Sequence, residues 1–164
     1  MSDRTLKYRL AFDLNGIREE LSKEIQELKA EELDYVPRAE VNMKSIRAIL
    51  DEIGAMEVLT VHMLTNGEEM DWGEAVKQVA LTGVDPQGAV QSLNQIRART
   101  DSYLESATDD SLRTPVPLPE SWHQYFSSPV VEPEELLRWV AKHEYYHLGQ
   151  IITYKWIIGY PIAP

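Results

Sequence analysis

The chain has 164 residues, 43% hydrophobic and 26% charged, enough for one well-packed core, so a single domain spanning 1–164 is expected. Its 27 acidic residues outnumber 16 basic ones, and the net charge of −11 repels nucleic-acid phosphates and anionic lipid. The absence of cysteine excludes disulfides, thiolate ligands and a cysteine nucleophile, and leaves His, Asp and Glu as the strong metal ligands.

The opening MSDRTLKYRL is charged from its third residue and carries neither a secretory apolar region nor a membrane span. A cytoplasmic location without a membrane partner is the expectation. Helical periodicity then recurs in four long segments, with no credible alternating strand, which predicts an all-α domain. The first helix is expected from Leu6 to Glu32, with Leu10, Leu14, Ile17, Leu21 and Leu28 on one face, ending before Tyr35-Val36-Pro37. The second runs from Val41 to Leu64 and stops at Asn66-Gly67.

A connection over residues 67–84 follows, with a short helix expected from Glu74 to Leu81. Asp85-Pro86 opens the third long helix as N-cap acid and first-turn proline, and its pattern fades near Asp109-Asp110. Residues 111–132 form a second long connection with four prolines and the aromatics Trp122, Tyr125 and Phe126, and are expected to cover one end of the bundle. The fourth helix opens at Pro133-Glu134-Glu135 and continues to Ile158, ahead of Gly159 and Pro161.

Inside that helix lies the run His143-Glu144-Tyr145-Tyr146-His147-Leu148-Gly149-Gln150. Its H-E-x-x-H spacing is that of zinc metalloproteases, in which two histidines hold the metal and the glutamate activates water. That reading fails on the third ligand. After His147 the chain reads LGQIITYKWIIGYPIAP, without Asp, Glu or His, so neither a downstream glutamate nor a third histidine is available.

Val140, His143, His147, Ile151, Tyr154 and Ile158 recur at three and four, so both histidines are expected on the core-facing stripe. Residues four apart on a helix have Cβ atoms about 5–6 Å from one another, near enough for both imidazoles to reach one ion. A third ligand must then come from another helix. The second helix offers Glu52, among Ser45, Ile49, Met56, Leu59 and Met63, and Glu57, among Ile46, Leu50, Ile53, Thr60 and Leu64. Periodicity does not choose between them. His62 is expected to be exposed, and His123, in the long loop, reads as a surface histidine or a reserve ligand.

These residues resemble the DinB-like, or DinB/YfiT-like, superfamily of metal-binding four-helix bundles. The resemblance rests on Ser45-Ile46-Arg47-Ala48-Ile49-Leu50-Asp51-Glu52-Ile53, on His143 to Ile151 with its Gly-Gln-Ile ending, and on Ile158-Gly159-Tyr160-Pro161. It implies a four-helix bundle with long connections between helices two and three and between three and four. Where the family has its first histidine this chain has Glu52, so the implied metal triad is Glu52, His143 and His147. Zn, Ni, Fe or Mn would suit it, with harder ions favoured by the carboxylate. Glu57 becomes an outer partner or a competing ligand.

The resemblance further implies a small-molecule substrate, a homodimer and a metal-dependent thiol S-transferase that uses a bacillithiol, mycothiol or glutathione-type cosubstrate. Metal-assisted hydrolysis with Glu144 or Glu57 as base is the alternative enzyme. A non-catalytic metal-binding or dimeric interaction bundle is the third reading.

Overall fold

The structure is a computed structural model that describes residues 5–37 and 43–161. Four long helices dominate it: α1 (Leu6–Gln26), α2 (Ile46–Asn66), α4 (Pro86–Ser106) and α7 (Pro133–Ile157). Between them lie the shorter α3 (Trp72–Val79), α5 (Asp109–Arg113) and α6 (His123–Phe126).

The helix ends follow from local hydrogen bonding. Ser45 Oγ accepts from the Ala48 amide at 3.2 Å, so α2 starts at Ile46. The expected start at Val41 lies outside the described residues. At the other end Gly67 adopts φ +70°, the left-handed conformation that glycine tolerates, and its amide bonds back to the Met63 carbonyl. Asp85 Oδ1 accepts from Gly88 at 2.7 Å and Pro86 occupies the first turn of α4, as expected.

Three expectations need correction. The first helix ends at Gln26, because the Glu32 carboxylate accepts the Lys29 amide at 2.8 Å and starts a separate 3₁₀ turn over Ala30–Asp34. The short helix begins at Trp72, two residues early, since Asp71 caps the amides of Gly73 and Glu74. Within the long loop a minimal antiparallel ladder does form, β1 (Val116–Pro117) against β2 (Val130–Val131), where no strand was expected. Two residues are too few for an alternating pattern to register.

Helices α1 and α2 each pack against both α4 and α7. Consecutive helices α1 and α2 therefore stand across the bundle from each other, as do α4 and α7. This explains the length of the connection from α4 to α7, which must cross the end of the bundle, whereas residues 67–84 join the neighbours α2 and α4 and hold α3, which packs on α2. One core cluster runs through Leu21, Ile25, Ile49, Ile53, Leu93 and Ile151, and a second gathers Leu6, Leu10, Leu14, Leu112 and Leu137 at the opposite end. No helix among the described residues is long and apolar enough to cross a membrane.

Candidate metal centre

Glu52 on α2 and His143 and His147 on α7 meet where these two helices pack. One ligand atom from each lies within 4.8 Å of those of the other two. The two Nε2 atoms are 3.1 Å apart, and His147 Nε2 stands 3.8 Å from Glu52 Oε2. Metal–donor bonds of about 2.0–2.2 Å allow donors up to roughly 4 Å apart around one ion, so small side-chain adjustments bring all three into range.

The protonation chemistry suits ligation. His147 Nδ1 lies 2.7 Å from Gln150 Oε1, and since a carboxamide oxygen only accepts, Nδ1 donates there and Nε2 is the ring atom turned toward His143 and Glu52. Burial, with a further push from His147, lowers the His143 pKa to about 4 against the opposing pull of Glu52, so this imidazole is neutral at neutral pH. Lys44 Nζ pairs with Glu52 Oε2 at 2.5 Å and balances that carboxylate. The lysine side chain is 54% exposed, and a solvated pair of this kind is worth little, so it yields to a divalent ion at low cost.

The glutamate inside the H-E-x-x-H run is elsewhere. Glu144 accepts from Arg18 Nε at 2.6 Å and from Arg97 Nη2 at 2.5 Å. Glu57 accepts from Arg18 Nη2 at 2.8 Å, Arg97 Nε at 2.6 Å and Thr100 Oγ1 at 2.5 Å. Each guanidinium also donates across the bundle, Arg18 to the Leu93 carbonyl and Arg97 to that of Leu14. One residue from each long helix thus forms a neutral quartet, every member no more than 3% exposed.

Burial alone would raise the Glu57 pKa, but Arg97 and Arg18 outweigh it and bring it down to about 2. Both carboxylates are consumed by structure, so neither serves as the general base or outer metal partner that the sequence suggested.

Arg18 and Arg97 were missed in the sequence, though a signal existed. Leu14, Arg18 and Leu21 are spaced four and three, as are Leu93, Arg97 and Thr100, which puts each arginine on a buried stripe. His62 also departs from expectation. It is half-buried, with Nδ1 2.9 Å from Asn66 Nδ2, and lines a separate cavity of about 480 Å³ between α2 and α4. His123 is half-buried, its Nε2 3.1 Å from the Leu118 carbonyl, and it is absent from the converging ligand group.

A cavity of about 460 Å³ opens beside the triad, with Glu52 and His143 in its lining. Its aromatic wall is shared by Trp122 and Tyr125 of the 111–132 loop, Trp72 of α3 and Trp139 of α7. Trp122, Tyr125 and Phe126 pack around Trp139 of α7 at centroid distances of 6.2, 6.0 and 5.1 Å, and Trp139 in turn lies 6.3 Å from the His143 ring.

The DinB superfamily profile matches residues 13–151. The fold is similar to that of a DinB-like protein from Bacillus subtilis, at 16% identity and a TM-score of 0.68, with 95% of each chain covered. It is also similar to YfiT from Bacillus subtilis, described as a probable metal-dependent hydrolase with an unusual four-helix bundle topology, at 15% identity and a TM-score of 0.70, covering 94% of this chain and 89% of that one. A mutant of a mycothiol-dependent maleylpyruvate isomerase aligns at 16% identity and a TM-score of 0.59 over 91% of this chain and 61% of its own. No curated protein matches the sequence.

Proposed function

The chain belongs to the DinB superfamily, and we propose that within it Glu52, His143 and His147 hold a divalent metal ion used to activate a small thiol for transfer to an electrophile. The observation that carries this reading is the convergence of two imidazole nitrogens and one carboxylate beside a cavity that Glu52 and His143 line. An ion so held would supply Lewis-acid activation, favouring the deprotonated form of a bound nucleophile at neutral pH.

The residues of the chain do the rest. Gln150 fixes the tautomer and orientation of His147, and Glu52 offsets part of the ionic charge. The Trp122–Trp139 cluster shields one side from water, which strengthens electrostatic interactions at the site. Thiol transfer is favoured over base-assisted hydrolysis because Glu57 and Glu144, the two carboxylates that the sequence offered as a base, are locked in salt bridges. A nucleophile activated by an ion needs no protein base, and a chain without cysteine takes its thiol from outside.

Hydrolysis is the second reading, favoured by the likeness to YfiT. On either reading the protein works on a small molecule as a homodimer, without nucleic acid.

The two are separated by incubating metal-loaded protein with bacillithiol or glutathione and monochlorobimane. Thiol consumption above the uncatalysed rate, abolished by chelation, supports transfer. Thiol-independent cleavage of ester or amide substrates, with no thiol consumption, overturns it.

A further inference from the structure

The cavity beside the triad follows α2. Glu52, Met56 and Leu59 line it and recur along α2 at four and three, so its floor extends about 10 Å from the triad toward the C-terminal end of that helix. Beyond that end comes Glu69, another lining residue, whose carboxylate accepts from Ser121 Oγ. The walls are aromatic: Trp122 is buried, while Trp72 and Tyr125 are 44% and 63% exposed at the opening.

Charge along this channel is one-sided. Among the described residues lining it none is Lys or Arg, and Lys44 sits at the triad end, occupied with Glu52. A ligand carboxylate reaching the far end would meet Glu69 without any compensating cation. An ammonium there would pair with Glu69 and lie among aromatic rings, whose faces attract cations.

We propose that this cavity binds a small amine with a flat apolar body, its ammonium at Glu69 and its opposite end at Glu52 and His143. Where the metal reading holds, the bound amine is a substrate whose reacting end is the one lying at the triad. The substrate role rests on the metal reading above, whereas the preference for an amine stands on the cavity lining alone.

The test uses three probes with the same body and different ends, namely 2-phenylethylammonium, 2-phenylethanol and 3-phenylpropanoate. Each is titrated calorimetrically into the full chain after chelation, so that coordination contributes nothing. The ammonium is expected to bind at least about tenfold tighter than the alcohol, with the carboxylate weakest. Glu69→Gln should erase the charge preference while Glu52→Gln retains most of it, and Trp72→Ala should weaken all three probes together.

Equal or tighter binding of the carboxylate, no binding of any probe, or a preference that survives Glu69→Gln overturns the proposal. Metal content measured on the same preparations judges the triad separately. Ammonium selectivity without metal binding sinks the metal reading and leaves the cavity assignment standing.

Discussion

Glu144 Oε2 stands 2.5 Å from Arg97 Nη2, and this pairing removes the glutamate of the H-E-x-x-H run from any part in chemistry at the neighbouring histidines. On a helix, His143 and His147 share a face, while Glu144 is turned about 100° from His143 toward the bundle axis. Removing one partner of a buried ion pair leaves an uncompensated charge and costs about 3–5 kcal/mol. Glu144→Ala should lower the urea midpoint accordingly. A catalytic glutamate would instead leave stability intact and abolish turnover.

Glu52 and Glu57 are predicted to differ in kind. Glu52→Ala should weaken Zn²⁺ or Mn²⁺ binding by more than about 100-fold, beyond the 10–100-fold typical of outer partners, with little loss of metal-free stability. Glu57→Ala should do the reverse, destabilising the fold through Arg18 and Arg97. Metal titration beside chemical denaturation of both variants reads the difference. Equal effects on metal affinity would undo the assignment of Glu52.

Gln150 is exposed enough to be replaced without harm to the core, yet it holds His147 Nδ1 at 2.7 Å. Gln150→Ala frees the imidazole to rotate and change tautomer. Metal affinity should fall about 10–100-fold at unchanged melting temperature of the metal-free protein. An unchanged affinity would show that the tautomer is set by something else.

Acid should destabilise the metal-free fold in two stages. His143 has a folded pKa of about 4 against an ordinary 6.5, so the unfolded chain binds more protons between these values. Its contribution is complete above pH 6.5 and is lost as pH falls toward 4. Glu57, at about 2 against 4.5, contributes above pH 4.5 and loses that contribution as pH falls toward 2. Urea midpoints across pH 7 to 3 should decline throughout, and His143→Gln should flatten the upper stage. A midpoint insensitive to pH between 6.5 and 4 would contradict the neutral, buried imidazole.

Much of this was legible because periodicity reports which residues face inward. It marked the four long helices, and the i, i+4 spacing of His143 and His147 put both on one face. It was silent on which inward carboxylate meets them, since Glu52 and Glu57 both sit among apolar neighbours. The family resemblance pointed to Glu52, and the positions of Arg18 and Arg97 on other helices supply the physical reason that Glu57 is the one held in the core. The arginines themselves were not singled out, although their spacing from Leu14 and Leu93 matches a buried stripe. Partnering across a bundle is a property of three dimensions, and a single helical pattern carries one.

The account stands most directly on whether an ion sits between α2 and α7. Crystals of the full chain grown with Zn²⁺ or Mn²⁺, measured on either side of the metal absorption edge, should show one anomalous peak within coordination distance of a Glu52 carboxylate oxygen and of Nε2 of both His143 and His147. An anomalous map without a peak at these atoms, from protein saturated with metal, would contradict it.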